Sequence, residues 1–240
     1  MTTTVSVNGL LVVVPARDEE ALVGRCLDAI GKAVRAVRAS RPDLDLVVVV
    51  VADRCLDRTA DIAAEVGAHV VRTDVGCVGA ARRMGVEAGI ELLPGIPADQ
   101  TWVASTDADT RVPSAWLDHQ VSLAGQGARL VIGRAVPDRD DLDETTWTRW
   151  RHRHTSPDVA THIHGANLGF RLDDYHAAGG WSRLDEHEDR HLVDSLLATG
   201  ISPGAGLDVV TSGRLHGRVP GGFSGYLRRI TDPPPGLEVD

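Results

Sequence analysis

Aromatic residues are scarce. With two Phe, two Tyr and five Trp in 240 residues there is no evident row of rings for bases to stack on, and a formal charge of -9 at pH 7 would repel a polyanion. Nucleic acid is therefore not expected as a partner. Cysteine is scarcer still: Cys26, Cys55 and Cys77 are odd in number, widely spaced and form no Cys-x-x-Cys, which argues against a disulfide framework or a cysteine zinc site and for reduced thiols. No apolar run approaches the ~20 residues that span a bilayer. The start, Met1 to Asn8, lacks the basic region and long apolar core of a secretion signal, so a cytoplasmic protein with no integral membrane segment is expected. No Gly-x-Gly-x-x-Gly or Walker loop follows the first apolar run, which removes the main support for a dinucleotide or P-loop site.

What is present is enough apolar sequence, 42%, for one substantial core. Residues 10–14 and 46–51 are short, continuous, β-branched-rich runs, the pattern of strands buried on both faces of a parallel sheet. Each precedes a helical stretch, 20–38 with Leu22, Leu27, Ile30, Val34 and Val37 at helical spacing, and 57–66 opening on a possible Asp57 cap. The alternation continues with a strand at 69–72, a helix at 79–92, a strand at 102–106, a helix at 113–123 and a strand at 130–134. This predicts a doubly wound α/β arrangement. After Val136 the rhythm is lost: an acidic run at 138–144, a polar segment at 146–154 that could be helical, a strand at 166–171, a helix at 189–198, a strand at 208–211, and a proline-rich tail over 231–240 expected to be disordered.

Open α/β sheets bind ligands beyond the carboxyl ends of their strands, so the residues that follow each strand are the candidates for chemistry. After the first comes Pro15-Ala16-Arg17-Asp18-Glu19-Glu20, and after the second Asp53-Arg54-Cys55-Leu56-Asp57-Arg58-Thr59. Carboxylates at adjacent strand ends can accept hydrogen bonds from a base N–H and from ribose hydroxyls. They can equally cap the following helices. After the fourth strand stands Asp107-Ala108-Asp109, two carboxylates one residue apart, and a Mg²⁺ or Mn²⁺ ion on a diphosphate needs only one or two protein carboxylates.

With these stretches, and with Gly79-Ala80-Ala81-Arg82, Gly165-Ala166-Asn167 and Glu188-Asp189 following in order, the chain resembles the family 2 glycosyltransferases of the GT-A fold over about residues 9–230. The resemblance implies an α/β GT-A domain with a mainly parallel Rossmann-like sheet flanked by helices. It also implies a nucleotide-sugar half over 9–135 and an acceptor half over 136–230. By the same resemblance Pro15, Ala16, Arg17, Glu19, Asp53, Arg82, Asp107 and Ala108 would hold a nucleotide-sugar donor, a UDP-sugar by preference. Asp109, with Asp107 and with His216 as a third ligand, would bind Mn²⁺ or Mg²⁺. Gly165, Ala166 and Asn167 would shape the acceptor side. Asp189 would take the proton from the acceptor hydroxyl, with Glu188 orienting or replacing it, which implies inversion at the anomeric carbon. A small-molecule acceptor is expected, and the oligomeric state, a homodimer included, is left open.

Rival readings accompany several of these residues. His187-Glu188-Asp189-Arg190-His191 spells His-Glu-x-x-His, a zinc-hydrolase signature that needs both histidines on one helix face. The loop-like Gly179-Gly180 upstream predicts that His187 precedes the helix. His216 could be a plain loop histidine whose neighbours Arg214 and Arg218 meet the diphosphate. The other histidines, His152, His154, His162 and His164, are expected to be exposed or singly hydrogen-bonded. Arg149, Arg151 and Arg153 could form an acceptor platform, but a polar helix with Trp147 and Trp150 covering the sheet is favoured. Residues 217–222 could close over the donor or be turn chemistry alone. A pyrophosphorylase would want a glycine-rich basic loop after the first strand, and a non-catalytic sugar-nucleotide sensor would bind donor without turnover.

Overall fold

The structure, a computed structural model, describes residues 6–156, 162–184, 186–217 and 222–231. Of the tail expected over 231–240, Thr231 instead ends a helix and 232–240 lie outside the described residues, as do Arg218 and most of the 217–222 loop.

The central strand β1 (Gly9–Ala16) is buried along its whole length. It pairs in parallel with β2 (Asp45–Asp53) on one side and β4 (Thr101–Ser105) on the other, and β3 (His69–Thr73) extends the sheet beyond β2. Its period-two alternation explains the unbroken apolar run. Leu10, Val12 and Val14 face one layer, with α1 (Val23–Ser40) and α4 (Trp116–Gly125), while Leu11 and Val13 face the other, with α3 (Val78–Glu91) and α7 (Glu188–Leu197). Each fully buried Val or Leu contributes about 1.5–3 kcal/mol relative to exposure. Helix α3 lies close because two of its sheet-facing positions are glycine: a Cβ on Gly89 would meet Leu11 at 2.2 Å, and one on Gly85 would meet Val13 at 2.5 Å.

Beyond β4 the sheet turns mixed. β8 (Leu168–Arg171) runs antiparallel to β4 and to β6 (Leu130–Ile132), and β9 (Gly204–Ala205) closes the seven-stranded order β3-β2-β1-β4-β8-β6-β9. A small second sheet joins β5 (Thr110–Arg111), β10 (Val209–Thr211) and β7 (Ala135–Pro137). Strand order reverses between β1 and β4, which creates a crevice at their carboxyl ends. The antiparallel β8 brings its beginning to that same end. Ser105 pairs with Leu168 in the register, and the Ser105 hydroxyl donates to the carbonyl of Gly165 at 2.8 Å.

The expected elements are present with shifted ends. Helix α1 starts at Val23, not residue 20, because residues 18–20 are tied to the loop after β2. Leu56 N–H donates to Asp18 (2.7 Å), Glu19 N–H to the Thr59 hydroxyl (2.7 Å) and Glu20 N–H to Asp57 (2.9 Å). Asp57 also accepts from Thr59 N–H at the start of α2 (Thr59–Glu65). Asp57 and Glu20, which accepts from Arg58 N–H at 3.1 Å, thus take the N–H groups where α2 begins, leaving Glu19 and Asp53 to face the crevice. The segment after Asp143 is helical, α5 (Glu144–Arg153), and its tryptophans join a separate cluster that includes Val136 of the small sheet, apart from the two clusters on the seven-stranded sheet. Trp150 and Trp147 pack on Leu227 and Ile230 of α8 (Phe223–Thr231), and Arg149 donates to the carbonyls of Ile230 and Thr231 at the end of that helix. Helix α6 (Leu172–Ala177) follows β8 directly. No helix among the described residues is long and apolar enough to cross a membrane.

Candidate active site

A cleft of about 570 Å³ opens at the carboxyl ends of β1, β2 and β4. Pro15, Ala16, Arg17, Glu19, Asp53, Arg82, Asp107, Ala108, Asp109, Gly165, Ala166, Glu188 and Asp189 all line it. The sheet gathers them: β1, β2 and β4 each end on the cleft floor, and the start of β8 and the first turn of α7 form the facing wall.

Two arginines organise the carboxylates. Arg82, 3% exposed, donates to Glu188 and to Asp107 (2.6 Å), and its guanidinium lies 5.0 Å from the Trp181 ring centre. Burial alone would lower its pKa, but the surrounding Asp107, Glu188 and Asp189 charges outweigh that and raise it. Burial pushes the Glu188 carboxyl up, against the opposing pull of Arg82. Gly165 must be glycine beside this pair, because a Cβ there would sit 2.4 Å from the guanidinium. Arg214 grips Glu19 with two bonds (2.6 and 2.8 Å) and reaches Asp109 Oδ2 at 3.0 Å. The Thr110 hydroxyl donates to that of Thr211, which donates to Asp109 Oδ1 at 3.2 Å, so pairing of β5 with β10 brings this loop to the acid. Even so, burial, and then the Asp107 charge, push the Asp109 carboxyl up to about 6.

Asp189 stands in the first turn of α7, where Oδ2 accepts from Gly165 N–H (3.0 Å) and Oδ1 from Arg190 N–H (2.7 Å). Asp53 accepts from Gly76 N–H at 3.0 Å, with Gly76 at φ +66°, a left-handed conformation that favours glycine.

Asp107 and Asp109 offer hard carboxylate oxygens at the cleft floor, 35% and 15% exposed on their side chains. That donor set fits a Mg²⁺ or Mn²⁺ ion. Asp18, Cys55 and Asp57 also place ligand atoms within 4.8 Å of one another, but both their acids already accept loop N–H bonds and the set mixes a thiol with hard acids.

Two anticipated residues lie elsewhere. His216 is exposed and does not line the cleft; Arg214, two residues before it, is the side chain against Asp109. Asn167 is buried beneath the cleft, accepting from the Trp116 indole (2.9 Å) and donating to the carbonyls of Arg134 (3.0 Å) and Leu207 (2.8 Å). Asn167→Ala should therefore lower stability by roughly 2–4 kcal/mol, since it strands buried polar partners. Chemical denaturation measures that loss, and an intact midpoint with a raised acceptor KM would instead return Asn167 to substrate contact.

The His-Glu-x-x-His letters do not form a two-histidine face. His187 adopts a left-handed conformation (φ 64°) just before α7, His191 is bonded to Ser182, and Glu188 is held by Arg82. His164, expected to be exposed or singly hydrogen-bonded, lines the cleft beside Gly165, and burial lowers its pKa. The chain position next to Gly-Ala-Asn was the available signal. Arg190, Tyr226 and Arg229 also line the cleft without having been singled out as site residues; Tyr226 and Arg229 come from α8, a helix not among the expected elements although its apolar residues stand at helical spacing.

The chain matches the model of the family described as Glycosyl transferase family 2 over residues 11–183. No curated protein matches its sequence. Among solved structures, S. aureus TarS in complex with UDP-GlcNAc superposes with a TM-score of 0.61 at 15% identity, covering 88% of this chain and 60% of that one. The mannosyltransferase PcManGT from Pyrobaculum calidifontis, in complex with GDP-Man and Mn²⁺, gives 0.60 at 18% identity, covering 85% of this chain and 56% of that one. Glucosyl-3-phosphoglycerate synthase from Mycobacterium tuberculosis, in complex with Mn²⁺, UDP and glucosyl-3-phosphoglycerate, gives 0.55 at 16% identity, covering 93% and 77%. At these identities the likeness is one of fold, and the chain spans 60% or less of the first two proteins' lengths.

Proposed function

Because the chain belongs to glycosyl transferase family 2 and has the GT-A fold, we propose that it transfers a sugar from a nucleotide-diphosphate donor, a UDP-sugar by preference, to a hydroxyl of a small acceptor. The observation that carries this reading is the convergence of Glu19, Asp53, Asp107, Asp109 and Asp189, remote in sequence, on one cleft at the strand ends.

Glu19 and Asp53 would accept hydrogen bonds from base and ribose, helped by backbone groups of Pro15 and Ala16. Arg17 and Ala108 would complete that wall. Arg82 would face the diphosphate while keeping its hold on Glu188. Asp109 and Asp107 would hold Mn²⁺ or Mg²⁺, which when bound offsets negative charge on the departing diphosphate. Asp189, fixed by the N–H groups of Gly165 and Arg190, would accept the proton of the acceptor hydroxyl. The hydroxyl oxygen forms its bond to the anomeric carbon as the bond to the diphosphate breaks, and attack from the opposite face inverts configuration. Bound nucleotide sugars in TarS and PcManGT support the donor class, and Mn²⁺ in PcManGT supports the metal.

Thermal melting with UDP, UDP-sugars and GDP-Man, each with and without Mn²⁺, tests this. A ligand present at 100 times its Kd adds about 2.7 kcal/mol of apparent stability. The expected result is a clear rise in Tm with a UDP-sugar and Mn²⁺ together; no rise with any nucleotide sugar ends the proposal.

A further inference from the structure

Arg214 stands where the donor nucleoside and the metal would both need to be. Its two-bond fork on Glu19 and its contact with Asp109 place one guanidinium on two carboxylates that are themselves 7% and 15% exposed. The backbone around it is anchored: Gly213 N–H donates to Asp141 at 2.8 Å and the Ser212 hydroxyl to the same carboxylate at 3.2 Å. The side chain is 34% exposed, so one side of it meets solvent. A guanidinium carries only donors and cannot lend an oxygen to a metal. A divalent ion on Asp109 and a nucleoside on Glu19 would compete with the guanidinium for the same carboxylate oxygens.

We propose that Arg214 is a positioning residue, an internal counter-ion that couples the two parts of donor binding. A nucleoside engaging Glu19 breaks the fork, and the departing guanidinium uncovers Asp109 for the metal. Because coupling between two binding events is reciprocal, the metal tightens nucleoside binding by the same factor. This rests on the assignment of Glu19 to the nucleoside and Asp109 to the metal made above. A plain loop fastener between the β10 and β1 loops would show no such linkage.

Mn²⁺ binding measured by calorimetry and by the spectrum of the free ion, with and without saturating uridine, tests the coupling. Uridine has no phosphate to ligate the metal, so any effect on Mn²⁺ must pass through the protein. In the wild type uridine should tighten Mn²⁺ binding about tenfold, within the usual range of such couplings. Arg214→Gln should bind Mn²⁺ alone about tenfold more tightly than the wild type, with the uridine effect reduced to less than about twofold. Arg214→Lys keeps the charge without the fork and should fall between the two. Equal Mn²⁺ affinity in wild type and Arg214→Gln, or an unchanged uridine effect, overturns the inference while UDP binding leaves the donor assignment standing. If neither uridine nor UDP binds the wild type, the donor assignment fails and takes the coupling with it. Melting curves of each variant separate these outcomes from a folding defect.

Discussion

Asp189→Asn is expected to lower kcat by about 10³, within the roughly 10²–10⁴ range for loss of a general base, while leaving UDP affinity within twofold. Asn has nearly the same shape, and its amide oxygen can still accept from the Gly165 N–H that now holds Oδ2 at 3.0 Å. What disappears is the basic lone pair for the acceptor proton. The loss should therefore fall on kcat and kcat/KM together, the pattern of an interaction made in the transition state only. Glu188 offers poor rescue, because its carboxylate is committed to Arg82. Initial rates beside a calorimetric UDP titration provide the check. A variant still turning over within a fewfold of wild type would show that proton transfer lies elsewhere, with half-buried His164 the next group to examine.

The second large effect concerns the cleft floor. Chelation of divalent ions should reduce transfer to background, and Asp109→Asn should lower kcat by roughly 10²–10³ even with saturating Mn²⁺, the range for removing one preorganised electrostatic contact. Asn retains an acceptor for the Thr211 hydroxyl at 3.2 Å, so the local frame survives. It removes the charge that Arg214 now meets at 3.0 Å. The accompanying readout is the Mn²⁺-dependent part of the Tm shift with UDP, which should vanish in the variant and persist in the wild type. Full activity in the presence of chelator would place charge neutralisation on Arg82 and Arg214 instead.

Much of this was legible in the residues. A continuous apolar run such as Leu10 to Val14 can satisfy both faces only inside a parallel sheet, and the structure buries it from both sides. The carboxylates after those runs then had to lie along one edge, since parallel strands share their carboxyl end. That His187 precedes α7 was also legible, from the loop-like Gly179-Gly180 upstream, whereas its left-handed conformation was not. β5, β7 and β9, two or three residues long, were not legible, whereas the equally short β6 and β10 fell within the expected strands at 130–134 and 208–211. Helix α8 was not among the expected elements although Phe223, Tyr226, Leu227 and Ile230 stand at helical spacing and pack together against Trp150 of α5.

Asn167 and Arg214 mark the boundary between the two kinds of information. The sequence alone determined an α/β chain with its acids at strand ends, because hydrophobic periodicity and strand polarity are local properties of the chain. Only the tertiary structure decided that the Asn167 amide turns into the core toward Trp116 and that Arg214 closes on Glu19 and Asp109. The direction of a side chain in a short turn, and the choice of partner for a charge, depend on which remote segment folds against it. Burial makes that choice energetically decisive, since an unpaired carboxylate or amide in such a place costs several times what the same group costs in water.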